Sequence, residues 1–287
     1  MKSAQSIQRW CCGVEYHGGQ LSGWQFQGHH TNTVQYELEH ALSQVGAEQI
    51  QVHGSGRTDK GVHALEQVCH FDSSAARTAY AWRQGANRHL PAGIRIRWVQ
   101  AVPSNFHARY NALFRDYLYI IEQSQVRSAI WGSQVMHCRA NLDVAAMTNA
   151  AEVLQGEHDF STFRAAACQS KHAMRYLFEC DVWQAQSYVG IAIRGNAFLQ
   201  HMVRNIVGSL VLVGAAERPI DWLAQILEQK NRELAGPTAP AQGLYLQRVH
   251  YRESFELPTQ LLTPMNLFAS QLTSWPKYYP NFDFRGR

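Results

Sequence analysis

The sequence predicts an α+β fold, and two patterns indicate it. Apolar residues alternate along several short segments, such as Trp10 to Tyr16 and Ile94 to Val99, and this alternation is typical of β-strands. In other segments apolar residues recur at three- and four-residue spacing, which is typical of amphipathic helices. Because strands and helices are mixed along a chain of 287 residues, we expect helices packed against a sheet.

The first half of the chain predicts two helices among four strands. In chain order these are a strand at 10–16, a helix at 32–45, a strand end at 50–52, a strand at 65–71, a helix from 80 to about 90 and a strand at 94–99. Asn32 is the expected N-cap of the first helix, because Val34 and Leu38 begin its apolar face. Gly46 is expected to end this helix.

The second half predicts four more strands and three helices. In chain order these are a strand at 115–121, a helix at 143–154, a strand hairpin at 177–183 and 188–193, an amphipathic helix at 196–210, a helix at 220–229 and a strand at 240–251. Tyr117 and Tyr119 share one face of the first strand. In the helix at 196–210, His201, Arg204 and Asn205 share the narrow side that the apolar residues leave.

The stretch from His53 to Ala64 is predicted to be a loop between two pieces of sheet. It holds three glycines, two histidines, an arginine, a lysine and one aspartate. A dinucleotide fingerprint needs glycine where Asp59 stands, a phosphate loop needs Ser or Thr after a Lys that follows its last glycine, and a nucleophile elbow needs wider glycine spacing around its serine. On composition alone, a surface turn with a routine Arg57 and Asp59 pair stands equally with a catalytic aspartate.

Composition and charge restrict the class of protein. The chain has 46% hydrophobic and 17% charged residues, as a soluble globular protein does. Its 26 Lys and Arg against 22 Asp and Glu give a net charge of +4, which permits a nucleic-acid partner without establishing one. The six cysteines include no CxxC pair, so no metal site is predicted and reduced thiols are expected. With no apolar signal core at the start and no apolar run near the length of a membrane span, we expect a cytoplasmic protein.

The segment Gly56-Arg57-Thr58-Asp59-Lys60-Gly61-Val62-His63-Ala64 closely resembles the signature of the tRNA pseudouridine synthase A (TruA-type) family. Other segments are similar to family motifs in the same order, and together they cover roughly residues 8 to 251. They are Gly23-Trp24-Gln25-Phe26-Gln27, Phe106-His107-Ala108-Arg109, Arg115-Asp116-Tyr117-Leu118-Tyr119, Phe198 to Asn205 and Gly243-Leu244-Tyr245-Leu246. The chain departs from the family pattern at His17, where the family has an aspartate.

The resemblance implies a role for four residues. Asp59 is the catalytic nucleophile, and Arg204 pairs with it, favouring the ionised carboxylate and fixing its direction with a fork suited to bidentate contact. Tyr117 stacks on the target base, and Arg57 extrudes that base from the RNA. No cofactor is implied, because the reaction adds no external group and changes no oxidation state.

The resemblance also implies an architecture. It is the pseudouridine synthase fold, in which two similar α/β-sandwich halves, ferredoxin-like or RRM-like, surround a continuous and mostly antiparallel sheet. We therefore expect an N-terminal α+β domain at 1–107 that carries the aspartate loop and a C-terminal α+β domain at 108–251 that completes the site. Residues 252–287 are a Pro- and aromatic-rich extension outside the matched motifs.

The implied activity is isomerisation of uridine to pseudouridine at positions 38, 39 and 40 in the anticodon stem-loop of tRNA, by a homodimer. Arg83, Arg88, Arg95, Arg97 and Lys171 are then candidates for phosphate contacts. Three alternatives stay open: a synthase of the same family that acts at other RNA positions, a non-catalytic protein that binds or folds tRNA, and a small-molecule glycosidase. A glycosidase would need a second carboxylate, and the loop has Asp59 alone.

Overall fold

The computed structural model describes residues 7–28 and 31–258, and within these residues ten strands form one sheet. The strands are β1 Gln8–Tyr16, β2 His53–Gly54, β3 His63–Ser73, β4 Ile94–Val102, β5 Phe114–Gln123, β6 Met136–Cys138, β7 Gly156–Asp159, β8 Met174–Ala185, β9 Tyr188–Gly195 and β10 Leu244–His250. The α-helices are α1 Val34–Gly46, α2 Ala79–His89, α3 Val144–Ala151, α4 Met202–Gly214 and α5 Trp222–Gln229. Residues 259–287, most of the expected C-terminal extension, lie outside the described residues. None of the helices described is long and apolar enough to span a membrane.

The last strand in the chain, β10, lies in the middle of the sheet. The strand order is β4-β1-β3-β10-β5-β9-β8-β7, with β2 paired to β3 and β6 paired to β5. The pairs are antiparallel except for β10 with β3 and β5 with β6, so the predicted α+β fold with a mostly antiparallel sheet is confirmed. Tyr245 of β10 lies opposite His63 on one side and Leu118 on the other. β10 therefore joins strands from the two halves of the chain.

The helices cover one face of the sheet in two layers, with a cleft between them. α1 and α2 pack over β1, β3 and β4, while α3, α4 and α5 pack over β5, β8 and β9. Leu244 belongs to the core beneath the second group and Leu246 to the core beneath the first. Residues two apart in a strand face the same side. Both helix layers therefore lie on the same face, and β10 runs beneath their junction.

Buried charges on the opposite face fix the register of β5. Asp116 accepts hydrogen bonds from Arg194 Nε at 2.7 Å and Nη2 at 3.0 Å, and His250 Nε2 lies 2.6 Å from its Oδ2. Burial raises the pKa of Asp116, but His250 and Arg194 outweigh burial and hold that pKa below its usual value. A slip of one residue would break these contacts and turn Tyr117 to the wrong face. The network therefore helps to keep Tyr117 in the cleft.

Most of the predicted elements are confirmed with their ends shifted. The strands predicted at 10–16, 65–71, 94–99 and 115–121 lie within β1, β3, β4 and β5. The predicted hairpin is β8 and β9, closed by a tight turn in which Gln186 has a φ of 55°. Asp143 is the N-cap of α3, since its Oδ1 accepts a hydrogen bond from Ala146 N at 2.9 Å. The short strands β6 and β7 were not predicted, because three or four residues carry no clear periodicity.

Two predictions early in the chain are wrong. The N-cap of α1 is Thr33, whose Oγ1 accepts from Tyr36 N at 3.3 Å, whereas Asn32 donates its side-chain amide to the Gln20 carbonyl at 2.5 Å. Asn and Thr are both good caps, so composition could not separate adjacent candidates. The predicted strand end at 50–52 is irregular, and the paired residues are His53 and Gly54.

The helix predicted at 196–210 begins later than expected. α4 starts at Met202, because His201 just before it takes a left-handed conformation with a φ of 61°. Its narrow polar side is buried from Asn205 onward. Asn205 donates its side-chain amide to the Phe163 carbonyl at 2.8 Å, and a Cβ added at Gly208 would lie 1.7 Å from the Pro237 carbonyl oxygen. α4 is therefore packed on both sides, and its first turn opens into the cleft.

Candidate active site

The cleft between the two helix layers forms a cavity of about 740 Å³. All four residues assigned from the resemblance, Arg57, Asp59, Tyr117 and Arg204, line it. Five arginines contribute to its wall, and among the described residues Asp59 is the one carboxylate that does. The cavity is therefore strongly basic around a single acid. Within the described part of the chain, this lining lacks the paired carboxylates that a glycosidase needs.

A tight turn presents Asp59 to the cavity. Val62 N donates to the Asp59 carbonyl at 3.1 Å, and Gly61 takes a φ of +85°, which favours glycine. The segment around Trp24 braces this turn, since Trp24 N donates to the Thr58 carbonyl at 3.1 Å. A Cβ added at Gly54 would lie 2.4 Å from the Trp24 ring. The Gly-Trp-Gln segment therefore packs against the aspartate loop, which accounts physically for the presence of both motifs.

A buried polar network fixes the other side of the loop. Ser55 Oγ donates to Gln67 Oε1 at 2.5 Å, and Gln67 Nε2 donates to the Gly56 carbonyl at 2.9 Å. Arg115 Nη2, from β5, donates to the Ser55 carbonyl at 2.9 Å. Because Ser55 and Gln67 are buried, these hydrogen bonds are costly to break. The loop is thus tied to β3 and to β5.

Arg204, in the first turn of α4, contacts the Asp59 carboxylate. Its Nη1 lies 3.4 Å from Asp59 Oδ2, and its Nε donates to the Ala239 carbonyl at 2.7 Å. The side chains of Arg204 and Asp59 are 15% and 29% exposed. The predicted pairing is therefore present in the geometry, but the guanidinium divides its donors between Asp59 and Ala239 and does not grip both carboxylate oxygens. The Ala239 contact holds the direction of the guanidinium.

His201 is a site residue that the sequence did not single out. Its Nε2 lies 3.4 Å from the same Asp59 Oδ2, and its side chain is 32% exposed. Its left-handed backbone is uncommon for a residue other than glycine, although histidine adopts it more often than most. Such conformations cost free energy and cluster at functional sites. The sequence feature that could have indicated His201 as a site residue is its three-residue spacing from Arg204 on one side of a predicted helix.

Tyr117 lies in the wall of the cavity, on β5. Its ring packs edge-on against Phe198 with 4.9 Å between ring centroids. Burial raises the pKa of Tyr117 to about 12, with Arg115 lowering it and the Asp59 carboxylate raising it further. The phenol therefore stays neutral through the physiological range and offers an apolar ring with a hydroxyl at its edge.

Arg57 points across the cavity instead of toward Asp59. Its Nη1 donates to Gln169 Oε1 at 3.1 Å, which connects the aspartate loop to the segment between β7 and β8. Arg57 itself is exposed. The two predicted phosphate contacts on β4, Arg95 and Arg97, do not line the cavity. Arg97 pairs with Glu15 at 3.1 Å, and Arg95 donates to the Pro91 carbonyl at 2.7 Å. Over residues 7–28 and 31–258, no cluster of three or more His, Cys, Asp or Glu side chains is arranged to hold a metal.

The comparisons with known proteins identify both the enzyme class, RNA-modifying enzymes, and the family. A family model described as tRNA pseudouridine synthase matches residues 14–111 and 150–252, so the chain belongs to the tRNA pseudouridine synthase family. A relative from Hydrogenovibrio crunogenus, named tRNA pseudouridine synthase A, is 47% identical over 87% of this chain and 95% of its own length. Proteins of the same name from Vibrio vulnificus and Citrobacter koseri are 47% and 48% identical over 89% of this chain, covering 96% and 94% of their lengths.

Proposed function

We propose that this protein isomerises uridine to pseudouridine at positions 38, 39 and 40 in the anticodon stem-loop of tRNA. The observation that carries the proposal is the Asp59 carboxylate, held 3.4 Å from Arg204 in a basic cavity that Tyr117 also lines. Relatives at 47% identity are named tRNA pseudouridine synthase A, which supports tRNA as the substrate. Five arginines in the cavity wall suit a polyanion.

In this reaction the C1′–N1 bond of the uridine breaks, the uracil turns, and C5 joins C1′. C5 loses its hydrogen as a proton and N1 takes one up, so product and substrate are isomers. Asp59 is the proposed nucleophile, because it is the carboxylate that the cavity offers among the described residues. Attack at the sugar carbon, attack at base C6 and abstraction of a sugar proton all begin from the ionised carboxylate. Arg204 stabilises that ionised form and orients it in each case. Because the uracil is both the leaving group and the nucleophile of the second step, no cofactor is required.

Tyr117 is the proposed platform for the uracil ring. Stacking of a base on an aromatic side chain contributes ~1–3 kcal/mol, which suffices to hold a base after its glycosidic bond has broken. A pKa of about 12 keeps the phenol neutral, so it does not repel the Asp59 carboxylate. Its position on a strand of the central sheet makes it a rigid surface.

Arg57 is proposed to extrude the target base. Removing a base from a stacked stem costs a few kcal/mol, and a guanidinium that enters the stack or holds the adjacent phosphate offsets part of this cost. In the structure Arg57 is bound to Gln169. The proposal therefore requires the RNA to displace Gln169 from Arg57. An exposed contact between a cation and a neutral amide is weak enough for this exchange.

On the resemblance we further propose a cytoplasmic homodimer with tRNA spanning both subunits. The division of the chain into domains at 1–107 and 108–251 also stays a prediction. Sedimentation or light scattering of the purified protein measures the oligomeric state directly. A monomeric mass at micromolar concentration with full activity would contradict the homodimer.

The proposed function is tested with unmodified tRNA that carries uridines at 38, 39 and 40. The purified protein is incubated with this tRNA, and pseudouridine is mapped by carbodiimide treatment and primer extension. Stops at these positions with the wild-type protein, and none with Asp59→Ala, are the expected result. Stops at other uridines would replace the substrate assignment. Tight binding with no stop at any uridine would favour the non-catalytic tRNA-binding alternative.

A further inference from the structure

One end of the cavity carries a group of rings that the proposed chemistry does not use. Besides Asp59 and its neighbours, the cavity is lined by His53, His107, Arg109 and Tyr110. We call His53, His107, Arg109 and Tyr110 the aromatic ledge. Tyr110 follows the Phe-His-Ala-Arg motif in the connection between β4 and β5 and is 76% exposed.

The rings of the ledge pack against one another and on His70 of β3. The ring centroids of Tyr110 and His107 are 4.2 Å apart with planes at 32°, and those of His107 and His70 are 4.6 Å apart with planes at 60°, an edge-on contact. His53 lies over His70 at 5.0 Å with planes at 25°. Burial lowers the pKa of His70 to about 4, and the surrounding positive charges act in the same direction. The buried ring beneath the ledge is therefore neutral near pH 7 and supports stacking.

The ledge is also held in place by its own loop. His107 Nδ1 accepts hydrogen bonds from Arg109 N at 3.1 Å and from Tyr110 N at 3.3 Å. The backbone of His107 is fixed as well, because His107 N donates to Asn111 Oδ1 at 2.5 Å. An exposed tyrosine on a loop usually loses rotamer freedom when it binds a ligand, and a preformed loop reduces that cost. Tyr110 is therefore presented on a fixed backbone.

The ledge and the Asp59 turn are separate parts of one cavity wall. Asp59 is tied to Val62, next to His63 at the start of β3, whereas the ledge packs on His70, seven residues further along the same strand. A ring held on the ledge therefore contacts a different part of the wall from a ring held beside Asp59.

An arginine beside a tyrosine does not by itself indicate a binding site. Arg109 Cζ lies 5.9 Å from the Tyr110 ring centroid, and Arg83 Cζ lies at the same 5.9 Å from the ring of Tyr80 on α2. Tyr80 is 67% exposed, but it does not line the cavity. What distinguishes Tyr110 is the adjoining cluster of histidine rings and its place in the same cavity wall as Asp59.

We infer that the aromatic ledge is a second base-stacking subsite, which holds an unpaired nucleobase of the RNA on the Tyr110 ring while the target uridine occupies the Asp59 end. The inference rests on the proposed function for the identity of the RNA. Exposed aromatic rings beside arginines are how proteins hold single-stranded bases without reading their sequence. An unpaired base fits because its face is open to the ring, whereas a base inside a duplex is covered by its neighbours.

The test measures binding of a fluorescent anticodon stem-loop RNA by anisotropy, in an Asp59→Asn background that prevents turnover. Tyr110→Ala is expected to raise Kd by about 5- to 150-fold, the range for loss of one base–aromatic stack. Tyr110→Phe keeps the ring and is expected to stay within about twofold of the parent. Tyr80→Ala is the matched control and is expected to leave Kd unchanged. Equal Kd values for Tyr110→Ala and Tyr80→Ala would overturn the inference.

A second measurement identifies the base and separates this inference from the proposed function. Each unpaired nucleotide of the loop is replaced in turn by an abasic residue, and the effect of Tyr110→Ala on Kd is measured again. At one position the effect is expected to disappear, because the ring and its base are then both missing; persistence at every position would overturn the inference. Pseudouridine formation by the wild-type protein is assayed in parallel. A Tyr110 effect on Kd without pseudouridine would overturn only the proposed function, while pseudouridine without that effect would overturn only the subsite.

Discussion

Arg204 and His201 each place a side-chain nitrogen at the same distance from the Asp59 carboxylate, and we predict that they contribute unequally to activity. Arg204 Nη1 and His201 Nε2 are both 3.4 Å from Asp59 Oδ2. The perturbations are Arg204→Gln, which removes the charge, and His201→Asn, which removes the imidazole. Asparagine tolerates the left-handed backbone at position 201, so the second change does not strain the loop.

The expected magnitudes follow from exposure and hydrogen bonding. Arg204 is 15% exposed and donates a hydrogen bond to a charged acceptor, and such bonds contribute about 1.5–3 kcal/mol. Arg204→Gln should therefore lower kcat/KM by about 10- to 150-fold. His201 is 32% exposed and lies beyond good hydrogen-bond geometry, and exposed pairs contribute about 0.2–1 kcal/mol. His201→Asn should lower kcat/KM by at most about fivefold.

The assay uses RNA labelled with tritium at uridine C5, because formation of the C5–C1′ bond releases that hydrogen to water. Arg218→Gln is the control, since Arg218 is exposed near the end of α4 and stacks on Trp222. Arg204→Lys separates charge from anchoring, because it keeps the charge and loses the Nε contact with Ala239. A loss for His201→Asn that equals or exceeds the loss for Arg204→Gln would refute the ranking by exposure.

Three further predictions concern other parts of the cleft and fold. Arg57→Ala should lower kcat/KM on a base-paired target uridine. On a mismatched uridine, whose extrusion costs less, its kcat/KM should stay within about threefold of wild type. Gln169→Ala releases Arg57 and should not lower kcat/KM on either substrate; tritium release measures all of these values. Gly208→Ala should destabilise the protein by about 3 kcal/mol or more in urea unfolding, because its Cβ would lie 1.7 Å from the Pro237 carbonyl oxygen; an unchanged midpoint would contradict this packing. Burial lowers the pKa of folded His70 to about 4, so the unfolded chain takes up the proton first and the free energy of unfolding should fall as pH drops from about 6.5 to 4. His70→Gln should reduce that slope by up to ~1.4 kcal/mol per pH unit, and an unchanged slope would show that His70 does not titrate there.

The sequence predicted the orientation of Tyr117 because a strand has a strict two-residue period. Alternation alone placed Tyr117 and Tyr119 on one face of the strand at 115–121, and both lie on the helix-covered side of β5. The position of β10 between β3 and β5 could not be predicted in the same way. Its place depends on pairing partners more than 100 residues away in the chain, and local periodicity carries no information about them.

The contact between Asp59 and Arg204 could not be predicted from residue patterns, for a different reason. The two residues are 145 positions apart, and each alone looks like an ordinary surface charge. Only the family resemblance paired them. The start of α4 was predicted six residues early because the apolar spacing runs on through Phe198 and Leu199, while the left-handed turn at His201 leaves no mark in hydrophobic periodicity. Helix propensity also gives no reason to expect histidine in that conformation.

The way Arg204 holds Asp59 bears on the role proposed for the carboxylate. A bidentate contact would place a donor on each oxygen, whereas a contact on one oxygen leaves the other without a protein donor. Among the described residues, Arg204 and His201 both contact this carboxylate at Oδ2, and Arg204 Nε donates to the Ala239 carbonyl. The Asp59 side chain is 29% exposed and lines the cavity, so Oδ1 is the oxygen left for a substrate. One oxygen fixes the direction of the group and the other keeps its lone pairs for chemistry. This arrangement suits a nucleophile, and it differs from the structural ion pair on the opposite face, where Arg194 donates to both oxygens of Asp116.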